Sequence, residues 1–202
     1  MYPVTYAADY TEKRSRLTTF FRYFMVIPQY IVGIFWAIAL FFTAIAAWVM
    51  MSITGQYPPG LYEFNGKALR FLTRLNSYFY LTTDTYPPFG GDDDPAYPVR
   101  IDYEPPAPEY SRLKAFFRLI VGIPVLIMLY LYGILLGLVG LVSWVVIVIT
   151  GKQPKGLQDL LVMALSYGAK GNAYMLLMTE RYPPITETPQ LESGPPAPAI
   201  GS

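Results

Sequence analysis

The chain lacks both cysteine and histidine among its 202 residues. Without cysteine there are no disulfides, thiolate metal sites or catalytic thiols, and without histidine the commonest general base and metal ligand are missing. Charge is also scarce, because Asp, Glu, Lys and Arg make up 14% of the residues and the formal net charge is only +1. We therefore expect no enzymatic activity, no cofactor, no metal site and no nucleic-acid partner, since phosphate binding requires a basic excess.

Charged residues are absent from two long segments. None lies between Arg22 and Glu63, and none lies between Arg118 and Lys152. Each run exceeds the ~20 residues that a helix needs to cross a bilayer, and a chain this small cannot bury two such helices in its own core. The sequence therefore predicts an integral protein of the cell inner (cytoplasmic) membrane. Its best single spans are 30–53 and 126–149.

An internal duplication relates the two halves of the chain. A shift of 96 residues aligns them without a gap from Arg16 with Arg112 to Pro87-Pro88 with Pro183-Pro184. The aligned residues include Arg16 with Arg112, Arg22 with Arg118, Pro28 with Pro124, Trp48 with Trp144, Gly55 with Gly151, Asn76 with Asn172, and Tyr86-Pro87-Pro88 with Tyr182-Pro183-Pro184. Chance similarity between apolar stretches does not explain matches of these residue types. We predict a first repeat at 1–89, a Gly/Asp linker at 90–96, a second repeat at 97–184 and a disordered Pro-rich tail at 185–202.

Each repeat is predicted to contain the same four elements in the same order. A short strand comes first, then a basic amphipathic helix, then the long transmembrane helix, and a second amphipathic helix follows a Pro-Gly turn. The predicted ranges in the two copies are 4–6 and 99–103 for the strand, 13–22 and 112–118 for the basic helix, and 61–81 and 157–178 for the second amphipathic helix. The predicted fold class is therefore an all-α integral membrane protein of two tandem repeats.

Seven basic residues are predicted to mark the membrane boundary or to bind lipid headgroups. They are Arg16, Arg22, Lys67, Arg70, Arg74, Arg112 and Arg118. Three of them share one face of the helix at 61–81 with Glu63, opposite an apolar face, and this pattern favours a helix that lies at the interface. The alternative is a helix that packs on its own protein and leaves its charges in water. Guanidinium groups bind phosphate well, but boundary marking is the favoured role.

Three glycines form a small-residue stripe in the second apolar segment, at Gly133, Gly137 and Gly140. Small residues at such spacing let two helices approach closely. Two interpretations remain open: the stripe docks a helix of another subunit, or it packs against the first apolar span of this chain.

The membrane topology also remains open between multi-pass and hairpin arrangements. Single crossings would make the copies an inverted repeat, four crossings would make them parallel, and shallow hairpins would place both copies on one side. The last arrangement would let the two short strands pair with each other. The basic clusters favour both copies facing the cytoplasm, because Lys and Arg are retained there.

The recurring motifs resemble those of a known family. They are Arg16-Leu17-x4-Arg22 leading to Ile27-Pro28, Thr54-Gly55-x2-Pro58, Leu75-Asn76-x-Tyr78 and Tyr86-Pro87-Pro88-Phe89. The pattern is similar to a bacterial membrane family catalogued as a domain of unknown function, number four-three-eight-nine. The resemblance covers both copies and nearly all of residues 1–184. That family has no assigned activity, so the resemblance implies an architecture and leaves the function open.

Three functional hypotheses follow from the sequence. The preferred one is a non-catalytic accessory or scaffold subunit that docks onto a larger membrane complex, with the bilayer and other membrane subunits, or a second copy of the chain, as partners. The alternative is a membrane-shaping or lipid-organising protein. A small transporter or channel is the weakest hypothesis, because the apolar spans lack the polar lining that transport sites use.

Overall fold

The computed structural model describes residues 2–185, so nearly all of the predicted tail lies outside the described residues. The fold is mostly helical, with one two-stranded sheet built from the two predicted strands. The elements in chain order are β1 (Val4–Ala8), α1 (Arg16–Met25), α2 (Ile27–Thr54), α3 (Pro59–Phe79), β2 (Val99–Tyr103), α4 (Arg112–Phe116), α5 (Arg118–Val121), α6 (Ile123–Thr150) and α7 (Lys155–Met175).

Proline and glycine set the ends of the two long apolar helices. Pro28 and Pro124 lie in the first turn of α2 and α6, where a missing backbone N–H costs nothing and the chain turns away from the preceding short helix. Gly55 and Gly151 follow the last turn with φ of 74° and 73°, the left-handed conformation that closes a helix and that other residues adopt at a cost. Equivalent residues therefore end equivalent helices.

The sheet joins the two copies symmetrically. β1 and β2 are antiparallel, with Val4 opposite Tyr103 and Val99 opposite Ala8. Val4 and Val99 are equivalent in the duplication, since each follows a Tyr-Pro pair. Exchanging the copies therefore maps the pairing onto itself. A pseudo-twofold axis passes through the centre of the sheet, perpendicular to it.

The helices are arranged around the same axis. α3 and α7 pack on each other at the centre, with α3 against β2 and α7 against β1. α2 flanks α3, and α6 flanks α7. The short helices pack across the copies, because α1 lies against α6 and α4 lies against α2. The two copies are thus interlocked and share one core.

The two apolar helices lie outside that core. Both have 28 residues, and their most apolar windows have mean hydropathies of 2.2 in α2 and 2.6 in α6. Only 11% and 22% of those windows, respectively, is buried. The core helix of a water-soluble protein is mostly buried, so α2 and α6 are not helices of that kind. Among the described residues, these two helices are long and apolar enough to cross a bilayer.

Candidate membrane-facing surface

Exposed apolar side chains concentrate in two equivalent segments, 16–54 and 112–150. Among residues 2–185, forty large hydrophobic side chains are exposed, and all but five of them lie there. The five exceptions are Tyr10, Phe89, Leu160, Tyr182 and Ile185. The helices of the two segments adjoin one another in the cyclic order α1, α2, α4–α5, α6. Their exposed side chains form one continuous region, which we call the apolar surface, and it far exceeds the patches of about 300–600 Å² found on soluble monomers.

Few charges occur in the segments that form the apolar surface. The five charged residues there are Arg16, Arg22, Arg112, Lys114 and Arg118. Two of them, Arg22 and Arg118, are buried inside the protein. The other three are exposed and lie in the first turn of α1 or α4. The exposed charge therefore lies at the edges of the apolar surface and not within it.

Arg16 and Arg112 hold the ends of the apolar helices of the opposite copy. Nη2 of Arg16 donates to the carbonyl oxygen of Thr150 at 3.0 Å, and Nη2 of Arg112 donates to that of Thr54 at 3.4 Å. A cation at a helix C-terminus satisfies a free carbonyl and opposes the helix dipole. Because both side chains also remain exposed, their role at the membrane boundary stays a prediction.

The prediction of headgroup contact is wrong for Arg22, because the protein encloses its side chain, which is 1% exposed. The guanidinium donates to the carbonyl oxygens of Tyr78 and Thr83 and to the Asp84 carboxylate. It also lies 4.4 Å from the centre of the Tyr78 ring. Burial lowers the pKa of Arg22, and the nearby Asp84 carboxylate partly opposes that shift. Arg22 thus ties α1 to the chain that follows α3.

The prediction of headgroup contact is also wrong for Arg118, because the protein encloses its side chain. Its Nη2 donates to the carbonyl oxygen of Thr179 at 3.1 Å, and its guanidinium lies 4.0 Å from the centre of the Tyr174 ring. The nearby acid differs in its contacts, because Glu180 binds Lys114 at 3.3 Å. The second copy therefore keeps the buried arginine and places its carboxylate against another cation.

The helix α3 is not an interfacial helix, because both of its faces are covered by protein. Arg70 donates from Nε to the carbonyl oxygen of Ile101 at 3.1 Å and from Nη1 to that of Gly91 at 3.0 Å. Arg74 donates from Nη1 to the carbonyl oxygen of Asp92 at 2.7 Å. Both side chains are buried, so headgroup contact is wrong for them. They secure the sheet and the linker, while the apolar face of α3 packs on α2.

Lys67 is the partly exposed member of the same face. Its Nζ lies 3.2 Å from Glu63 and 3.1 Å from Asp92, so it forms a small ion-pair cluster with the linker. Headgroup binding by Lys67 stays a prediction. The cluster lies beside Gly91, which packs against the backbone of α3, and the predicted linker is therefore held on the protein.

The glycine stripe divides into two parts. A Cβ on Gly140 would lie 3.0 Å from the Tyr80 ring, so this glycine packs against the end of α3 and not against the first apolar helix. A Cβ on Gly133 or Gly137 would meet no atom within 4 Å among the described residues. These two glycines leave a shallow open strip on α6.

Two acids that hold the short helices were missed at the sequence level. The backbone N–H of Ser15 donates to Asp84 at 3.1 Å, and that of Ser111 donates to Glu180 at 2.6 Å. The duplication carried a signal for them, since the shift of 96 residues aligns one acid with the other, two residues before each Tyr-Pro-Pro. An acid kept in both copies beside a helix start indicates a shared structural contact.

Comparison with known proteins confirms the duplication. The family described as Domain of unknown function (DUF4389) matches residues 16–90 and again residues 112–186. Both bounds differ by 96 residues, the same shift that aligns the two halves of the sequence. Neither the curated proteins nor the solved structures contain a match to the chain.

Proposed function

The chain belongs to the family described as Domain of unknown function (DUF4389), and from that premise we propose that it is a non-catalytic structural protein embedded in a membrane. We further propose that it serves as an accessory or scaffold subunit for other membrane proteins. The observation that carries the proposal is the exposure of α2 and α6, of whose most apolar windows only 11% and 22% is buried. Exposing these apolar side chains to water is unfavourable, and contact with the hydrocarbon of a bilayer avoids that cost.

The proposed accessory role is supported by the open strip on α6. Gly133 and Gly137 are one turn apart on a helix whose other residues are mostly large and aliphatic, and a Cβ on either glycine would meet no atom within 4 Å among the described residues. Within a bilayer, close backbone approach is a main source of helix association, and small residues permit it. A membrane helix of another subunit suits this strip.

A second candidate function is the organisation of lipid. The apolar surface receives nearly equal contributions from the two copies and surrounds a rigid interlocked core. A rigid body with one large apolar surface displaces acyl chains and stresses the surrounding bilayer. Vesicles reconstituted at high protein density would change curvature under this alternative and would keep their shape under the accessory role alone.

Membrane embedding is expected to depend on the exposed face of the long helices. Phe42→Arg together with Leu138→Arg places one charge at equivalent exposed positions of α2 and α6. We expect the membrane-bound fraction to fall at least tenfold, because a charge deep in hydrocarbon costs about 2.5–3.5 kcal/mol. The wild-type chain should resist extraction by 1 M salt and yield only to detergent. The control, Glu63→Arg at an exposed position of α3, should stay in the membrane fraction.

High salt suits this assay better than alkaline carbonate. Burial raises the pKa of the Tyr6 hydroxyl to about 12, whereas an unfolded tyrosine loses its proton near pH 10. The free energy of unfolding therefore decreases as pH rises through this range. A wild-type chain that stays monodisperse in buffer without detergent or lipid would contradict membrane embedding.

The accessory role makes a separate prediction. Gly137→Leu should abolish co-purification of a membrane partner in mild detergent while leaving the thermal midpoint of the chain unchanged, because the new side chain enters open space. Gly60→Leu, at a glycine that is equally open but lies in the first turn of α3, should retain the partner. A wild-type chain that purifies alone, or an unchanged complex with Gly137→Leu, would contradict docking through this strip.

A further inference from the structure

We propose that the chain occupies a single leaflet of the bilayer and does not cross it. In this arrangement α2 and α6 lie along the membrane plane, the apolar surface contacts the acyl chains of one leaflet, and the sheet faces water. The inference rests on the proposed membrane embedding and adds an orientation to it. Neither the length nor the hydropathy of the helices distinguishes lying from crossing.

The two long helices run in opposite directions on either side of the pseudo-twofold axis. Arg16, at the start of α1, contacts the last residue of α6, and α1 then leads directly into α2. The end of α6 and the start of α2 are therefore separated by only a ten-residue helix, or about 15 Å. The equivalent relation holds between the end of α2 and the start of α6. If the axis lay in the membrane plane the helices would cross as an inverted repeat, whereas an axis along the membrane normal places both copies on one side.

α3 runs back along the length of α2. Thr43 donates to Asn65 at 2.6 Å, and towards the other end the rings of Tyr30 and Phe79 lie 5.6 Å apart. If α2 stood upright across a bilayer, α3 would therefore span the same range of depths beside it.

The sheet lies level with the middle of this helix pair. Arg70, next to the midpoint of α3, donates to the carbonyl oxygen of Ile101, and Ile101 pairs with Tyr6 at the centre of the sheet. The inner face of the sheet packs on α3 and α7, and its outer face carries Asp102 and Arg100. If α2 stood upright across the bilayer, that outer face would lie at the bilayer midplane.

The outer face is charged and exposed, which is incompatible with the midplane. Asp102 is exposed, and Arg100 forms an ion pair with Asp9 at 2.9 Å in which both side chains remain partly exposed. The Asp92 carboxylate of the adjacent linker cluster is 80% exposed. Charges at that depth are strongly disfavoured unless they are enclosed by protein. Laying α2 and α6 flat moves all of these groups to the water side of the protein.

The dimensions of the apolar layer also fit one leaflet. The layer is one helix thick, about 10 Å, and each leaflet supplies about 15 Å of the hydrocarbon core. Interfacial helices commonly embed to about 5–10 Å. The exposed guanidinium groups of Arg16 and Arg112 lie at the edges of the layer, at headgroup level.

Depth measurements on α2 test the orientation directly. Ile31, Phe42 and Ile53 are all exposed, and their spacing of eleven residues places them on one face of the helix, about 16 Å apart along its axis. The chain has no native cysteine, so a nitroxide on a single introduced cysteine reports one site. We expect the three sites to lie at equal depth within a few ångströms. A site at Phe42 about 16 Å deeper than both others would overturn the inference.

The second measurement determines on which side of the membrane the turns after α2 and α6 are exposed. Gln56 and Lys152 occupy equivalent exposed turns after α2 and α6. In sealed vesicles, Gln56→Cys and Lys152→Cys should react with an impermeant maleimide from the same side, whereas labelling from opposite sides would establish crossing and reject the single leaflet. If the protein instead fails to associate with vesicles at all, the membrane proposal itself is wrong. The two failures are therefore distinguishable.

Discussion

Replacing Arg22 with methionine is expected to lower the free energy of unfolding by about 3–5 kcal/mol, because it removes one partner of a buried ion pair. The substitution removes the Arg22 donor from the carbonyl oxygens of Tyr78 and Thr83, and it leaves the Asp84 carboxylate without its closest cation. For a chain of this size the thermal midpoint should fall by about 6–20 °C. Circular dichroism of the detergent-solubilised protein during heating measures the change.

Arg16→Met is the matched control, since it makes the same change in the same helix. Arg16 is exposed and donates to one carbonyl oxygen at the end of α6, so the expected loss is below about 1 kcal/mol. Arg118→Met should fall between the two, because Arg118 is buried but Glu180 is paired with Lys114. Equal losses for Arg16→Met and Arg22→Met would show that burial of the guanidinium does not matter.

Gly91→Ala is expected to lower the free energy of unfolding by about 3 kcal/mol or more, from overpacking and from lost hydrogen bonds to charged groups. A Cβ at this position would lie 1.9 Å from the carbonyl oxygen of Lys67 and 2.4 Å from its carbonyl carbon. Because the obstacle is helix backbone, the linker must move away from α3. That movement breaks the bond from Arg70 to the Gly91 carbonyl and the bond from Arg74 to the Asp92 carbonyl. Chemical unfolding in detergent measures the loss.

The neighbouring glycine provides the control for this substitution. A Cβ on Gly90 would lie 3.6 Å from the Asp92 carboxylate, which is an ordinary van der Waals contact. Gly90→Ala should therefore change the free energy of unfolding by less than about 1 kcal/mol. If both alanine variants were equally stable, the linker would not be seated against α3 as described.

The duplication and the order of elements could be predicted because they depend on local signals. The prolines, the glycines and the alternation of apolar residues act within a few positions, and the repeat shows each signal twice. The structure confirms the two predicted strands and the helix starts near Pro28 and Pro124. The family matches residues 16–90 and 112–186, once in each copy of the duplication.

The burial of the arginines could not be predicted in the same way. Helical periodicity shows that Arg70 and Arg74 share a face, but it does not show what covers that face. The cover is β2 together with the linker, both of which come from later in the chain. The same limit applies to Arg22, because its carboxylate partner lies 62 residues away. A basic amphipathic sequence pattern next to an apolar span is the same whether lipid or protein contacts the charged face.

The packing of each short helix against the long helix of the other copy could not be predicted from the sequence either. A shift of 96 residues maps α1 onto α4 whether each packs in its own copy or in the other. Only tertiary contacts, such as that of Arg112 with Thr54, distinguish the two arrangements. The open glycines could not be distinguished from the sequence either, because a small-residue stripe does not show that Gly140 packs against Tyr80.

The interlocking of the copies has a consequence for how such a chain assembles and diverges. As separate polypeptides, the halves would complete their sheet only by dimerising, and their stability would depend on protein concentration. Fusion makes the encounter intramolecular, at an effective concentration on the order of millimolar. In a symmetric dimer of identical halves, each surface must complement a copy of itself, and fusion removes this requirement. The two halves can then differ at equivalent positions, as Asp84 differs from Glu180 and Gln56 from Lys152.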